Sequence, residues 1–293
     1  MVGLIVIDFP SAWASDTDGY FDRATAVHDQ FRNDPLVHTA FAPHAPYSVS
    51  DTPLRRVATL ANELDLPVHM HIHETPAEIE GSLAAHGKRP LARLRDLGLL
   101  TPSLVAVHMT QLTDAEILLV AECGASVVHC PQSNLKLASG DCPVGRLLDA
   151  GIGVALGTDG AASNNDLDML AETQSAALLA KRNTGDACRL PADAALRMAT
   201  LDGARALGID DLTGSLQAGK SADLIALDLS QPETQPVFNP VSQIVYAAGR
   251  EQVRHVWVHG RQLLKDRQLI TIDLPQTVKR AIDWGQRIGQ ADV

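Results

Sequence analysis

The chain has 293 residues and a formal net charge of −11 at pH 7. This acidic balance argues against nucleic acid or an anionic membrane as a binding partner. The length accommodates one large α/β domain with a small additional domain.

Short apolar runs alternate with amphipathic segments up to about residue 200, which is typical of repeated βα units. The predicted strands, in chain order, are Gly3–Phe9, Val37–Pro43, Pro67–Glu74, Leu104–Met109, Ser126–Pro131 and Val154–Thr158.

Helix signals occur between these strands. Thr75, Pro76 and Glu78 predict a capping box with proline at the first helical position. Thr113 and Glu116 predict a second capping box, and the helix that it opens is expected to end at Gly124.

Polar side chains cluster at the C-terminal ends of the predicted strands. A (β/α)8 TIM-type barrel carries its chemistry at this position. An open, doubly wound sheet also binds ligands there, but the sequence shows no glycine-rich phosphate loop of the kind that accompanies nucleotide binding. We therefore predict a (β/α)8 barrel over residues 1–211, incomplete at its N-terminus.

The pattern changes after about residue 212, where short strands are separated by Gly and Pro turns. We expect strands at Ile225–Leu229 and Val253–His259 and a helix at about Leu274–Ile288. Residues 212–293 are therefore predicted to form part of a small β-sandwich followed by a C-terminal helix.

The run Val68–Glu74 carries three histidines and a glutamate on a predicted buried strand. Because strand side chains alternate, His69, His71 and His73 are expected to share one face and to line a pocket. Imidazoles in such a place are costly to desolvate unless a metal or hydrogen-bond partners compensate. His71 alone reads as a core histidine, but its neighbours favour a metal ligand, with Glu74 as a proton carrier.

Three further residues are candidates for the same site. Asp159 follows an apolar strand, and an aspartate there can bind a metal and accept a proton from water. His108 ends another buried strand and is interpreted as stabilising the attacking hydroxide rather than binding a second metal. His44 fits a substrate contact, although a surface-loop histidine remains an alternative. His129 is interpreted as strand-end packing.

These residues, in this order, resemble the amidohydrolase superfamily, specifically the 5-methylthioadenosine/S-adenosylhomocysteine deaminases of its TRZ/ATZ group. The similarity extends over almost the whole chain. The matching segments are Ala42–Tyr47, His71–Thr75, Val107–Met109, His129–Leu137, Gly157–Asn165 and Gly214–Leu224.

The resemblance implies one divalent metal, zinc or iron, with His71 and Asp159 as ligands. It implies that Glu74, His108 and Asp159 are catalytic, and that His44, Glu74 and Asp159 contact a small-molecule nucleoside. Water would replace the purine amine, Glu74 would protonate the ring and ammonia would leave. Alternatives are a guanine- or cytosine-type deaminase, a triazine hydrolase or a non-catalytic remnant.

The family also places an H-x-H metal pair at the end of its first barrel strand. His28 and His38 form no such pair, and Gly3–Phe9 resembles the family's third strand. We therefore expect an N-terminally truncated fragment, with about six of the eight barrel strands. A site without those two imidazoles should bind metal weakly, so we expect the chain by itself to be inactive and prone to aggregate.

The cysteines indicate the compartment. Four are present and none forms a C-x-x-C pair, which indicates a reduced, cytoplasmic protein. No apolar run is long enough to span a bilayer. The relatives also suggest a homo-oligomer.

Overall fold

Two separate sheets organise the chain, which a computed structural model describes from residue 1 to residue 291. The first sheet belongs to a unit formed by Met1–Ser215, and the second belongs to a unit that begins at Leu216. Among residues 1–291, no helix combines the length and the apolar character needed to cross a bilayer.

The first sheet has six strands, all parallel, and its spatial order follows the order of the chain. A doubly wound sheet reverses its strand order at a switch point. This sheet contains no such reversal, so the doubly wound alternative is wrong. The strands are β1 (Val2–Val6), β2 (Thr39–Pro43), β3 (Val68–Ile72), β4 (Leu104–His108), β5 (Ser126–His129) and β6 (Val154–Leu156).

Helices follow these strands in the alternating pattern that the sequence predicts. They are α1 (Thr17–Phe31), α2 (Asp51–Leu64), α3 (Pro76–His86), α4 (Pro90–Asp96), α5 (Asp114–Cys123), α6 (Pro131–Lys136), α7 (Val144–Asp149), α8 (Met169–Thr184), α9 (Ala192–Met198) and α10 (Leu201–Ala206).

The two faces of the parallel sheet differ in burial. Register places Leu4, Phe41, Val68 and Leu104 in one row, and all four are buried. The opposite face carries His69 and His71 of β3, which are only half-buried. At the outer strand of this sheet, Ile5 is 40% exposed. The face that carries His69 and His71 is therefore the more open of the two.

The predicted caps are confirmed at α5 and only partly at α3. Thr113 and Glu116 form both bonds of a capping box, and Gly124 ends the helix. Thr75 accepts a bond from the Glu78 amide, but the Glu78 carboxylate binds the amides of His73 and Glu74 instead of the Thr75 amide. The predicted capping box at Thr75 is therefore only half formed.

The second sheet is antiparallel, as expected for a β-rich region after residue 212. Two short 3-10 turns lie at Pro232–Thr234 and Arg250–Gln252. The strands are β7 (Leu224–Leu227), β8 (Val253–Val258), β9 (Arg261–Lys265) and β10 (Gln268–Leu269), and the helices are α11 (Pro240–Tyr246) and α12 (Leu274–Ala291).

Candidate active site

Three of the predicted site residues converge at the C-terminal edge of the parallel sheet. His71 lies in β3, His108 ends β4 and Asp159 follows β6. One nitrogen of each imidazole and one carboxylate oxygen of Asp159 all lie within 4.8 Å of one another. Parallel strands present their carboxyl ends at the same edge, so residues far apart in sequence meet there.

Hydrogen bonds fix the direction of His71 and Asp159. The Nδ1 of His71 lies 2.9 Å from the carbonyl oxygen of His44, which can only accept, so Nδ1 carries the proton. The Nε2 of His71 then faces the Oδ1 of Asp159 at 3.8 Å. The other oxygen of Asp159 accepts a bond of 2.7 Å from Ser133.

The pKa values of His71 and Asp159 are both shifted, because the Nε2 of His71 faces the Oδ1 of Asp159. Burial acts to lower the pKa of His71, but Asp159 and the His44 carbonyl raise it above its usual value. Burial acts to raise the pKa of Asp159, but His71 and Ser133 hold it well below its usual range. Asp159 is therefore charged at neutral pH, and the space beside His71 favours a positive charge.

His108 presents a second nitrogen to the same space. Its Nδ1 lies 2.8 Å from the Oδ1 of Asn134, and its ring stacks on that of His71 with centroids 5.3 Å apart. Its Nε2 is buried without a hydrogen-bond partner and lies 3.7 Å from the Oε2 of Glu74. Burial lowers the pKa of His108, so the ring is a neutral base.

Left-handed backbone at the strand ends decides which side chains reach the site. His73, His108 and Asp159 have φ values of 56°, 74° and 60°. At His73 and His108 this conformation interrupts the strand alternation, whereas Asp159 lies beyond the end of β6, where alternation no longer applies. Alternation places His108 with Leu104 on the helix-facing side, and the turn brings it into the site instead. Each such residue stores about 1–3 kcal/mol of strain, which is typical of functional positions.

The same turn removes His73 from the site, so the prediction that His73 lines the pocket is wrong. His73 is completely buried, and its Nε2 accepts a bond of 3.2 Å from the amide of Leu91. The same Nε2 lies 3.6 Å from the Oε1 of Glu116. Burial lowers the pKa of His73 to about 4. Only His69 and His71 share the open face.

Glu74 and His44 lie beside the converging group. The Oε1 of Glu74 accepts a bond of 3.1 Å from Ser139, which leaves Oε2 directed towards His108. His44 contacts the His71 ring with centroids 5.4 Å apart, and its Nδ1 lies 2.8 Å from Ser48. Burial and the neighbouring His71 lower the pKa of His44.

Several residues that orient the site were not predicted from the sequence. Ser133 of α6 donates to Asp159, and Asn134 of α6 binds His108. Ser139 binds Glu74, and no local pattern distinguishes it from an ordinary loop serine. The matching segment His129–Leu137 was the one signal that could have identified the first two.

The donor set fits a divalent metal ion. His71 directs a lone pair at a charged carboxylate, and the unpartnered Nε2 of His108 lies within reach of the same point. A metal-binding histidine usually donates its other ring proton to a carbonyl, as His71 does to His44. Imidazole and carboxylate suit both zinc and iron.

Comparison with known proteins establishes the family. The sequence profile described as the Amidohydrolase family matches residues 2–263. This chain belongs to the amidohydrolase family. The relationship that the motifs predicted is thereby confirmed.

Two amidohydrolase relatives carry the name 5-methylthioadenosine/S-adenosylhomocysteine deaminase. The protein from Teredinibacter turnerae is 51% identical over 284 residues, and the protein from Saccharophagus degradans is 46% identical over 283 residues. Each alignment covers 97% of this chain and 64% of the relative. The chain therefore spans less than two thirds of the length of these relatives.

Solved amidohydrolase structures share the fold. An adenosine deaminase from Xanthomonas campestris, crystallised with bound zinc, has a TM-score of 0.97 and 56% identity. The similarity covers 98% of this chain and 66% of that one. Atrazine chlorohydrolase from Arthrobacter aurescens, complexed with zinc, has a TM-score of 0.87 and 25% identity, over 94% of this chain and 62% of its own.

A buried carboxylate connects two of the segments that carry site residues. Glu172 of α8 accepts a bond of 3.1 Å from the amide of Gln132, next to Ser133, and a second bond from the side chain of Asn164. Glu172 is completely buried. Burial raises the pKa of Glu172 to about 7, although both hydrogen bonds act in the opposite direction.

Glu172 should make the stability of this chain depend on pH. The folded state holds its proton more tightly than the unfolded state, where the pKa is near 4.5. Its stabilising contribution is complete below that value and is lost as the pH rises through about 7. We expect the free energy of unfolding to fall by about 3 kcal/mol more in the native chain than in Glu172→Gln over this range.

Urea unfolding of both proteins at several pH values measures this difference. The exposed Glu122→Gln is the matched control and should retain the native pH dependence. An identical pH dependence in Glu172→Gln and the native chain would show that the carboxyl group titrates normally.

Proposed function

We propose that this site catalyses the metal-dependent hydrolytic deamination of an adenosine-type nucleoside. The substrates would be 5′-methylthioadenosine, S-adenosylhomocysteine or both, and the products would be the inosyl compound and ammonia. The observation that carries the proposal is that Glu74 and His108 flank the pair His71 and Asp159. The chain that holds this group is 51% identical to the 5-methylthioadenosine/S-adenosylhomocysteine deaminase of Teredinibacter turnerae.

We also propose the larger architecture. Residues 1–211 would supply six strands of a (β/α)8 TIM-type barrel, since the parallel order of β1 to β6 is the one that such a barrel requires. Residues 212–293 would supply part of a small β-sandwich and the helix α12. The active site would then lie at the C-terminal mouth of the barrel.

His71 and Asp159 would hold one zinc ion, the metal bound in the Xanthomonas campestris structure. Bound there, zinc would supply Lewis-acid activation of a water molecule for attack. Asp159 would be available as a carboxylate because its pKa lies well below the usual range, and Ser133 holds one of its oxygens. It would take up the proton that the activated water loses. His108, a neutral base whose Nε2 is buried without a hydrogen-bond partner, would stabilise the attacking water by accepting a hydrogen bond from it.

Glu74 would carry protons between water and the substrate. In the reaction, oxygen from water bonds to the carbon that bears the amine, the carbon–nitrogen bond breaks, and ammonia leaves. The adjacent ring nitrogen must gain a proton before that bond breaks, and Glu74, whose Oε2 lies 3.7 Å from the Nε2 of His108, would supply it. His44, at the rim beside His71, would contact the nucleoside.

Composition and thiol chemistry agree with a small-molecule enzyme in the cytoplasm. The net charge of −11 disfavours nucleic acid as a partner. All four cysteines are free thiols, as a reducing compartment requires.

Zinc binding by the 293-residue chain tests the proposed ligands. His71→Ala and Asp159→Asn should each weaken zinc binding by at least about 10-fold. Loss of a residue that only orients a ligand already lowers metal affinity by about that factor, and loss of the ligand itself should lower it more. His108→Ala should weaken it less, because His108 would stabilise the attacking oxygen. Isothermal titration measures all three, with the exposed His86→Ala as the control. Equal affinities for His71→Ala and His86→Ala would contradict the assignment.

Ammonia release tests the reaction. The assay uses a hybrid protein, in which this chain is joined to the part of the Teredinibacter turnerae relative outside their aligned region. We expect zinc-dependent ammonia release from 5′-methylthioadenosine or S-adenosylhomocysteine by the hybrid protein, and little by the 293-residue chain. Glu74→Gln in the hybrid should lower kcat by about 10²- to 10⁴-fold.

Other outcomes of that assay would point elsewhere. Faster turnover of guanine, cytosine or a triazine would assign the site to another TRZ/ATZ activity. Binding of nucleoside without turnover of any compound would indicate a non-catalytic remnant. Rapid turnover of 5′-methylthioadenosine by the 293-residue chain would contradict the expectation that this chain is inactive by itself.

A further inference from the structure

A buried glutamate on α3 binds the backbone immediately before that helix. Glu78 is 6% exposed, and its two carboxylate oxygens are both occupied. Oε1 accepts a bond of 2.9 Å from the amide of His73, and Oε2 accepts a bond of 2.7 Å from the amide of Glu74. One carboxylate therefore holds two consecutive N–H groups, the second of which belongs to the proposed proton carrier.

This arrangement differs from an ordinary helix cap. In a capping box, a glutamate at this position returns to the amide of the N-cap residue, here Thr75. Here His73 has a left-handed φ of 56°, and the N–H groups of His73 and Glu74 both donate to the Glu78 carboxylate. Glu78 thus stabilises the turn that removes His73 from the site and leaves Glu74 beside it.

The carbonyl side of the same turn is held as well. The hydroxyl of Thr110 lies 2.6 Å from the Glu74 carbonyl oxygen and 3.1 Å from that of His73, and also 3.2 Å from the Ser139 carbonyl oxygen. Ser139 in turn donates to the Glu74 carboxylate at 3.1 Å. The backbone of Glu74 is therefore fixed from both sides, and its side chain is fixed by a residue of the same network.

We propose that Glu78 is a positioning residue for Glu74: its carboxylate fixes the backbone turn at His73 and Glu74 and so directs the Glu74 carboxylate towards His108 and the substrate. The effect on turnover rests on the proposed function, whereas the effect on the backbone does not. A displacement of about 1 Å at a reacting group can cost about 100-fold in rate, so the orientation of Glu74 matters for catalysis.

The isosteric variant Glu78→Gln tests the backbone part. Its amide group keeps one acceptor and replaces the other with a donor, so one of the two N–H groups loses its partner. We expect amide hydrogen exchange at His73 and Glu74 to accelerate by about tenfold in the 293-residue chain. Glu80→Gln, an exposed glutamate on the same helix, is the matched control and should leave both rates unchanged. Unchanged exchange in Glu78→Gln would overturn the proposal.

Kinetics in the hybrid protein test the functional part. Glu78→Gln should lower kcat by about 10- to 100-fold with KM and zinc affinity unchanged, because the transition state and not the bound substrate requires an oriented Glu74. Thr110→Val removes the hydroxyl on the carbonyl side without touching the cap of α3, and should give the same pattern. Glu80→Gln should match the native enzyme.

The outcomes separate the two claims. If Glu78→Gln accelerates exchange but leaves kcat unchanged, Glu78 is only a structural cap and the proposal fails. If it lowers zinc affinity in parallel with kcat, the defect extends to the metal site and the proposal also fails. If the native hybrid releases no ammonia, the proposed function fails, and the exchange rates still decide whether Glu78 fixes the turn.

Discussion

The site depends on the close approach of two hydrogen-bond acceptors, the Nε2 of His71 and the Oδ1 of Asp159, at 3.8 Å. With the proton of His71 committed to the His44 carbonyl, neither atom can donate to the other. A proton or a metal ion between them would be favoured, and the same nearby carboxylate helps to raise the pKa of His71. Ser133, His44 and Asn134 hold the surrounding groups in this arrangement.

The parallel sheet supplies the convergence, and left-handed residues at its edge refine it. Strands β3, β4 and β6 end at the same edge, which brings His71, His108 and Asp159 together across the sheet. The positive φ of His108 then brings its ring into the site, and the positive φ of His73 removes another. At His73, two hydrogen bonds from consecutive backbone amides to the buried Glu78 hold the left-handed turn.

Sequence reasoning predicted the parts of this structure that follow from local periodicity. Alternating βα segments predicted the six parallel strands, and polar residues at their ends predicted that His71, Glu74, His108 and Asp159 lie together. The orientation of His73 could not be predicted, because strand alternation fails where φ becomes positive. The contacts of Glu78, Ser133 and Ser139 were missed because each depends on a tertiary approach between elements that no local pattern encodes.

The central claim is that one metal ion lies between β3 and the turn after β6, with Glu74 beside it and not bound to it. Anomalous diffraction at the zinc absorption edge from crystals of the zinc-loaded protein tests this directly. The account predicts one zinc ion about 2.0–2.2 Å from the Nε2 of His71 and from an oxygen of Asp159, with the Glu74 carboxylate outside the coordination sphere. A zinc ion coordinated by Glu74, or one bound away from His71 and Asp159, would contradict it.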